Sequence, residues 1–493
     1  MFLPMPQTPY FPAWRSRLAN LGRRLETLRR QPLLHLEKVF APLLPPGLLS
    51  QRDEGPNSRS RLYTLSNTFW AFLWQALNPG SPCREAVRQI LAHLGLHDVR
   101  PEAADPNNSA YCTARKRLPL ETLPTARRAV ASQAQKRLPS DQSQWLGHDV
   151  KVLDGTTLST ADTPENQAKY PQPSAQKPGC GFPLMKLVGV FSLLSGALLD
   201  YAQGNKHKSE LALLRQLLDL IKPNDVVLAD RGFCNYVLLA LFQIFCQAHA
   251  VLRLHQARNV DFRRGKKLGP SDALFTWSKP LTKPRWLPKS LWNKVPAELT
   301  VRVVRVSMQT PGFRSESVTL VTTLLDAAAY PAAQLARLYL RRWRIELWFR
   351  HLKSTMKMEH LRCRTPEMVQ KELEMYFLAY NLIRCVIAEA ALVHYVPVER
   401  ISFKGAVDTV RQYSLVLAQA PTQKKRRELV ALMLSDLARD PVPERPGRRQ
   451  PRAVKRRPKP FALLTKPRHL FKEVPHRSRA RRNTTASKNK DLN

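Results

Sequence analysis

The spacing of hydrophobic residues changes along the chain near residue 150. Before that point apolar residues recur every three or four positions, as in RLYTLSNTFWAFLWQAL and SPCREAVRQILAHLGL, which predicts amphipathic helices. From HDVKVLDGTTLS onward, Val150 and Val152 alternate with polar residues, which is the period of a β-strand. The segment KLVGVFSLLSGALLDYAQG predicts a hairpin that turns at Ser195 and Gly196. The chain therefore passes from a helical region into an α/β region.

The segments after the hairpin extend the α/β pattern. KSELALLRQLLDLI predicts an amphipathic helix, DVVLAD a short buried strand, and CNYVLLALFQIFCQA a further helix, which together indicate a mixed α/β sheet. Between about 253 and 325, strand-like runs such as LTVRVVRVSM and ESVTLVTTLL predict a β-rich insertion that completes the sheet. The run EMVQKELEMYFLAYNLIRCVIAEAALV is long and apolar enough to form a helix that packs across the sheet.

The charge of the chain indicates its partner. The 493 residues include 79 Lys and Arg against 38 Asp and Glu, a net charge of +41. A compact protein with this charge repels itself unless a polyanion neutralises it, so nucleic acid is the expected partner. An anionic membrane surface ranks lower, because the bases are spread along the chain rather than gathered in one amphipathic helix. We expect a cytoplasmic, nucleoid-associated protein, since MFLPMPQTPYFPAWRSR lacks the pattern of a signal peptide.

The cysteines predict neither a disulfide framework nor a zinc site. They number seven, are widely scattered, and include no C-x-x-C pair.

Basic residues concentrate in AYCTARKRLPLETLPTARRAVASQAQKRL. Short helices that carry many bases suit docking on DNA, and we expect Arg115, Lys116 and Arg117 to contact it. The alternative is a helical surface whose bases are only solvated. Farther along, PVPERPGRRQPRAVKRRPKP is rich in Pro and Arg and poor in acids, which predicts a flexible tail with affinity for nucleic acid.

The segment YLRRWRIELWFRHLKS places an acid among several bases. Read as one helix at about 100° per residue, it brings Tyr339, Arg342, Glu346 and Lys353 into one stripe. An apolar face lies opposite and is formed by Ile345, Trp348 and Leu352. The stripe is expected to face water or a ligand. One alternative is a solvated face that carries an ion pair between Arg342 and Glu346.

Three carboxylates stand where the predicted elements would expose them. Asp154 lies in VLDGTT and Asp230 in VVLADRGF, each at or near a strand end, and Glu346 lies on the helix. Each alone is a weak indication, because Asp is common in turns. Together they could hold two divalent cations, the arrangement that phosphodiester chemistry favours. Oxygen ligands without a His or Cys cluster point to Mg²⁺, with Mn²⁺ as the alternative.

These residues resemble a known family. DGT at Asp154, ADRGF at 229–233 and Y-x2-R-x3-E-x6-K at 339–353 are similar to the DDE transposases of the insertion-sequence-4 family, over roughly residues 100–390. The resemblance implies an RNase H-like fold in which Asp154, Asp230 and Glu346 form the metal-binding catalytic triad. It also implies that the Tyr, Arg and Lys of the third motif, Tyr339, Arg342 and Lys353, hold the DNA strand at the transposon end.

The resemblance also implies the reaction. Water would cut double-stranded DNA at the transposon end to leave a 3′-OH, and that hydroxyl would attack target DNA, with a homodimer expected in the synaptic complex. Some relatives pass through a DNA hairpin, and the sequence leaves that route open. A Trp of the insertion stacks on an extruded base in some members. Trp277, Trp286 and Trp292 are all available, although each also suits a core role.

The patterns, together with what the resemblance implies, divide the chain into four parts. We predict a helical DNA-end-binding region at 1–145, an RNase H-like catalytic domain at 146–400 with the insertion at about 253–325, C-terminal helices at 401–440 where a second copy could dock, and a disordered basic tail at 441–493.

Other classes of protein explain less. A tyrosine recombinase needs an H-x-x-R box, which HQAR at 255–258 spells, but it gives no role to the three acids. A non-enzymatic DNA-binding protein explains the charge and also leaves the acids without a role. An inactivated or domesticated transposase that acts as a basic DNA-binding protein remains the alternative.

The charge leads to a first prediction. If the bases serve DNA contact, the affinity for a duplex should fall steeply with salt, with a slope in log K against log salt of about −0.9 per phosphate neutralised. Fluorescence anisotropy at several salt concentrations measures this slope. A flat response would mean that the positive charge does not serve DNA binding.

Overall fold

The computed structural model describes residues 37, 40–50, 62–96, 105–138, 144–307, 317–443 and 464–471. Within them, the helices in chain order are α1 (Leu65–Leu77), α2 (Cys83–Leu96), α3 (Ser109–Arg117), α4 (Thr122–Lys136), α5 (Pro164–Lys169), α6 (Glu210–Leu214), α7 (Tyr236–Ile244), α8 (Lys289–Lys294), α9 (Ala332–Arg341), α10 (Arg344–Arg350), α11 (Pro366–Val393), α12 (Phe403–Gln419) and α13 (Gln423–Arg439). The strands are β1 (Val150–Ser159), β2 (Leu184–Ser192), β3 (Leu198–Gly204), β4 (Val226–Ala229), β5 (His249–Arg253), β6 (Lys266–Gly269), β7 (Asp272–Ser278), β8 (Glu298–Ser307) and β9 (Ser317–Thr322).

The nine strands form one mixed sheet in the order β3-β2-β1-β4-β5-β9-β8-β7-β6. Strands β1, β4 and β5 run parallel, and the other neighbours are antiparallel. The predicted hairpin is β2–β3, and its turn contains Gly196 at φ +66°, a conformation that favours glycine. The predicted insertion supplies β6 to β9 and joins the sheet where β9 pairs with β5. The α/β class and the completion of the sheet by the insertion are thus confirmed.

The two faces of the sheet bury different side chains. Val152 of β1 and Leu228 of β4 face a large apolar cluster that includes residues of α1, α4 and α10 to α13. Leu153 and Val227 point to the opposite face, where α7 and the insertion pack. This alternation is the two-residue period of a strand buried on both faces. The N-terminal and C-terminal helices therefore share one core with the sheet.

Helix α11 is the long apolar helix that the sequence predicts. Thr365 caps it by accepting a hydrogen bond from the Met368 N–H, and Pro366 occupies the first helical position. The helix is long and apolar enough to cross a membrane, but 83% of its most apolar window is buried inside the protein. It is a core helix that packs mainly against α4, and also against α1 and α13.

The segment 339–354 is not one continuous helix, contrary to the prediction. Helix α9 ends at Arg341, α10 begins at Arg344, and a π-helical turn follows at His351–Thr355. The N–H groups of Arg342 and Trp343 donate to carbonyls three residues earlier, which tightens the chain between the two helices. The apolar face is nevertheless confirmed, since Ile345, Trp348 and Leu352 are all buried.

KSELALLRQLLDLI also departs from its prediction. Helix α6 covers only Glu210–Leu214, and a 3₁₀ helix continues over Arg215–Leu220. Most of the predicted tail at 441–493 lies outside the described residues, as does much of the N-terminal third of 1–145. The described part 464–471 contains a 3₁₀ turn at Arg468–Leu470.

A buried ion network joins the N-terminal helices to the sheet. The Arg127 side chain on α4 is 1% exposed and pairs with Asp200 of β3 at 2.6 Å and with Glu374 of α11 at 2.7 Å. Its Nη1 also donates to the Leu199 carbonyl at 3.1 Å. Each charge in the network thus has a partner, which a buried charge requires.

We expect Arg127→Ala to destabilise the protein by about 3–5 kcal/mol, because it leaves Glu374 buried without its cation and Asp200 paired only with the exposed Arg128. Urea unfolding measures the loss. Arg128→Ala is a matched control, because Arg128 also pairs with Asp200 but is 62% exposed, and it should cost less than about 1 kcal/mol. Equal losses in the two variants would contradict the role of the buried network.

Candidate active site

The pairing of β1 with β4 brings two of the predicted acids together. Val150 lies opposite Val226 and Val152 opposite Leu228 in a parallel ladder. The same offset, continued by two residues, brings Asp154 level with Asp230. Because side chains alternate along a strand, both acids leave the sheet on the face of Val152 and Leu228, the face against which α10 packs.

The sequence suggested that Asp154 lies at or near the end of its strand. In the structure it lies within the strand instead. The parallel pairing with β4 stops at Val152, but β1 continues beside β2 to Ser159, and Asp154 sits opposite Gly189. Its Oδ1 accepts a hydrogen bond from the Gly155 N–H at 2.8 Å. Burial raises the pKa of Asp154 to about 6, against the lowering effects of that N–H and of Arg342.

Asp230 directly follows β4. Its Oδ1 accepts from the Gly232 N–H at 2.8 Å and caps the 3₁₀ turn Arg231–Phe233. This contact fixes the side chain at the strand end. The Asp230 carboxylate is also close enough to raise the pKa of Asp154 through charge repulsion.

Arg342 links the first acid to the third. Its guanidinium is buried, with Nη1 3.8 Å from Asp154 Oδ2 and Nη2 3.7 Å from Glu346 Oε1. It also lies 4.7 Å from the centre of the Trp343 ring. A positive charge therefore stands between the two carboxylates. The break between α9 and α10 holds Arg342 in this position.

Tyr339 and Lys353 complete the predicted stripe in different ways. Tyr339 is buried and hydrogen-bonded to Arg342, and burial raises its pKa to about 12. Lys353 lies on the π-helical turn, and its Nζ donates to Thr156 Oγ1 on β1 at 3.4 Å. The stripe was predicted to face water or a ligand, but only the Glu346 side chain, 52% exposed, is largely accessible. Tyr339 and Arg342 are buried instead, and Arg342 points to Asp154.

The three acids suit a hard divalent cation in the chemistry of their donors, because carboxylate oxygens are the ligands that Mg²⁺ prefers. Among the described residues, however, no three His, Cys, Asp or Glu side chains come together closely enough to hold a metal ion. Three carboxylates repel each other unless a cation lies between them. In this structure the Arg342 guanidinium supplies that positive charge beside Asp154 and Glu346.

Glu210 is an acid of this site that the sequence analysis does not single out. A Cβ built on Gly155 would lie 2.3 Å from the Glu210 carboxylate, so the acid packs directly against the backbone beside Asp154. Burial and the charge of Asp230 raise the pKa of Glu210. In the sequence, Glu210 follows the helix cap Ser209 and reads as an ordinary first-turn acid. Nothing in that pattern indicates its position in the fold.

The basic triplet on α3 divides into buried and accessible residues. Arg115 is buried and its guanidinium lies 3.8 Å from the centre of the Phe72 ring, so its burial does not fit the predicted DNA contact. Lys116 is exposed and Arg117 is half-buried. A charged residue in a short helix can face inward when its neighbours supply partners, which sequence spacing alone does not reveal.

The three tryptophans of the insertion are partly buried against the second apolar cluster. Arg258 lies 4.0 Å from the centre of the Trp277 ring, and the Lys279 ammonium lies 4.3 Å from that of Trp292. These contacts are cation–π pairs, which hold the rings in place. These contacts support packing against the core, which the sequence analysis gave as the alternative to stacking on a base.

Comparison with known proteins points to one family. The sequence profile described as "Transposase DDE domain" matches residues 145–382. The chain is 29% identical over 444 residues to "Transposase InsG for insertion sequence element IS4" of Escherichia coli (strain K12), an alignment that covers 89% of this chain and 95% of that protein.

Two further similarities are more limited. "Putative transposase InsZ" of Escherichia coli (strain K12) is 30% identical over 113 residues, which is 22% of this chain and 38% of that protein. A solved structure, the piggyBac transposase synaptic complex with hairpin DNA, aligns with 83% of this chain and 85% of that chain at 10% identity and a TM-score of 0.37. A TM-score this low supports no conclusion about the fold.

The raised pKa of Asp154 predicts a pH-dependent cost. With a pKa of about 6 in the folded state against 3.8 unfolded, the cost of the charge is absent below pH 3.8 and complete above pH 6. In metal-free buffer at pH 7.5, Asp154→Asn should therefore stabilise the protein by about 1–3 kcal/mol, and the gain should vanish near pH 4. Urea unfolding in EDTA at both pH values measures it. Asp162→Asn, at an exposed acid nearby, should change little, and a less stable Asp154→Asn protein at pH 7.5 would contradict this account.

Proposed function

The chain is a DDE transposase of the insertion-sequence-4 family, and from this premise we propose that it moves its element by cut-and-paste transposition. In this reaction the protein cuts double-stranded DNA at the transposon ends and joins the freed 3′-OH groups to target DNA. The observation that carries the proposal is the parallel register of β1 and β4, which brings Asp154 level with Asp230 beneath the helix of Glu346.

We propose that Asp154, Asp230 and Glu346 hold the divalent metal, Mg²⁺ or alternatively Mn²⁺. When bound, such ions supply an activated water and offset the charge on the attacking and leaving oxygens of the phosphodiester. The strand and the 3₁₀ turn fix Asp154 and Asp230 in advance through their N–H contacts. Glu346 is exposed, whereas Asp154 and Asp230 are half-buried, so Glu346 is the acid freest to adjust to a bound ion.

The bases of the site would position DNA. Lys353, beside Thr156, brings an ammonium group to the same strand as Asp154, where it can bind a phosphate next to the scissile bond. Arg342 neutralises two of the acids in the free protein. If the acids held a divalent ion, the guanidinium would be available to pair with a phosphate oxygen, and Tyr339 would orient it through their hydrogen bond.

The remaining parts of the proposal concern assembly. Lys116 and Arg117 on α3 are the accessible members of the triplet and are the proposed contacts to transposon-end DNA. Strands β3-β2-β1-β4-β5 would form the RNase H-like core. A homodimer is expected in the synaptic complex, and exposed apolar residues on α12 and α13, such as Leu415, Val416 and Leu432, are consistent with a contact there. The site of action would be the nucleoid.

Glu346→Gln tests the catalytic role of the acid. The substitution keeps the size of the side chain and removes its charge, so Mg²⁺-dependent cutting of end DNA should fall by orders of magnitude while DNA binding is retained. A gel assay with and without Mg²⁺ reads both quantities. Glu428→Gln, at a half-exposed acid that pairs with Lys425 on α13, is a matched control that should cut normally. Normal cutting by folded Glu346→Gln protein would show that Glu346 is not part of the active site. Full cutting by the wild type in excess EDTA would show that cutting needs no divalent metal.

Lys353→Ala tests the phosphate contact in the same assay. The three acids remain, but one cation is lost, so binding of end DNA should weaken together with cutting, and the salt slope should fall by about one. Lys425→Ala is the control, because it removes a cation on α13 rather than in the proposed site. If Lys353→Ala bound end DNA with an unchanged slope, Lys353 would not contact a phosphate.

A further inference from the structure

Three cysteines that are scattered in the sequence come together around one arginine. Arg115 Nη1 donates to Cys83 Sγ at 3.0 Å, and its Nη2 donates to Cys363 Sγ at 3.2 Å. Cys112 lines the same cavity as Cys83 and Cys363, and its side chain interacts with that of Cys83. Cys83 is the first residue of α2, Cys112 lies on α3, and Cys363 belongs to the segment before α11. The cluster thus joins the N-terminal helices to the catalytic part of the chain.

The thiols are accessible as well as close. They line a cavity of about 860 Å³, and all three are half-buried rather than sealed in the core. Lys116, Arg362 and Arg364 also line this cavity, so its walls are strongly basic. A small neutral oxidant can reach such a site, and a basic surrounding favours the thiolate form of a cysteine.

Cys83 and Cys112 have different surroundings. The Arg115 guanidinium donates to Cys83 Sγ and to no sulfur of Cys112, so its positive charge favours the thiolate form at Cys83. In agreement, interaction with Cys112 and the charge of Arg115 lower the pKa of Cys83 despite its burial, whereas the pKa of Cys112 is raised. In redox-active pairs the more acidic thiol is the nucleophile and the other thiol resolves the sulfenic acid.

We propose that Cys83 and Cys112 form a peroxide-reactive dithiol, with Cys83 as the nucleophile and Cys112 as the resolving thiol. The Cys83 thiolate attacks hydrogen peroxide, the O–O bond breaks, and the leaving hydroxide takes up a proton to become water. Cys83 is then a sulfenic acid. The Cys112 sulfur attacks the Cys83 sulfur, the S–O bond breaks, and the hydroxide leaves as water with the proton of the Cys112 thiol. Two thiols are oxidised by two electrons and the peroxide is reduced to two waters.

The disulfide would alter how α3 is held. Arg115 is buried, and oxidation converts the Cys83 sulfur that accepts its hydrogen bond into a disulfide sulfur, which is a weaker acceptor. A buried guanidinium that loses its partner is strongly destabilised where it stands. Lys371 on α11 also holds α3, by donating to the Lys116 carbonyl at 2.7 Å. Oxidation should therefore shift α3 and weaken binding of end DNA. This last step rests on the proposed DNA contacts of Lys116 and Arg117.

Mass spectrometry of the full-length protein tests the chemistry. After one equivalent of hydrogen peroxide and alkylation of the remaining thiols, we expect a Cys83–Cys112 crosslinked peptide, which a thiol reductant removes. Cys83 should react at least about tenfold faster than Cys180, a half-buried cysteine on the loop between α5 and β2. The Cys112→Ser variant should stop at a Cys83 sulfenic acid, which dimedone traps.

Two further variants separate the possible outcomes. Cys83→Ser should abolish both the crosslink and the trapped sulfenic acid, whereas Cys180→Ser, as the matched control, should leave both unchanged. Thermal unfolding of each variant confirms that it is folded. A Cys83–Cys363 crosslink would overturn Cys112 as the resolving thiol, and equal reaction of Cys83 and Cys180 would overturn the reactive pair.

End-DNA binding tests the consequence separately from cleavage. Anisotropy without Mg²⁺ should show that peroxide raises the dissociation constant of the wild type by about fivefold or more, reversibly with a thiol reductant. The Cys83→Ser protein should not respond. If the crosslink forms but binding is unchanged, the effect on α3 is refuted while the dithiol stands. Failure of the metal-dependent cutting assay would bear only on the proposed function.

Discussion

Helix α11 can lie in the centre of the protein only because its buried polar side chains have partners. Glu374 pairs with Arg127 of α4, and Asn381 exchanges two hydrogen bonds with the backbone of Leu198, at 2.9 Å each. Arg384 donates to the Ser195 carbonyl in the β2–β3 turn at 2.6 Å. A polar group buried without such a partner costs several kcal/mol, so these contacts select one rotation of α11 and one docking of the elements around it. The hairpin, and with it the position of β1, is fixed as a result.

The same electrostatic requirement shapes the site. A chain with a net charge of +41 attracts polyanions, yet its proposed chemistry needs carboxylates in close proximity. Arg342 reconciles these demands, because it lies within 4 Å of both Asp154 and Glu346 and offsets their repulsion in the free protein. A divalent ion would have to replace the guanidinium in that role.

Periodicity predicted the elements well, since the alternation at Val150 and Val152, the hairpin at Gly196 and the run of α11 each follow from local patterns. The family motifs added Asp154, Asp230 and Glu346, whose roles stay predictions, although the strand register brings the first two level. The prediction of one continuous helix was wrong between α9 and α10 and again after α10. A uniform angle per residue does not describe a tightened turn or a π-helical turn. The sequence patterns could not predict contacts between distant segments. The Cys83, Cys112 and Cys363 cluster around Arg115, and Glu210 against Gly155, exist only in the folded chain.

The position of α11 late in the chain also bears on synthesis. The sheet is complete at β9, which ends at Thr322, but the large apolar cluster on one of its faces is closed by α11, which begins only at Pro366. A nascent chain between these two lengths presents that face uncovered, and exposed apolar sheets of this kind are prone to aggregate. Products of premature termination should therefore aggregate or be degraded rather than persist as folded fragments. The order of elements along the gene thus makes a stable fold depend on synthesis of α11.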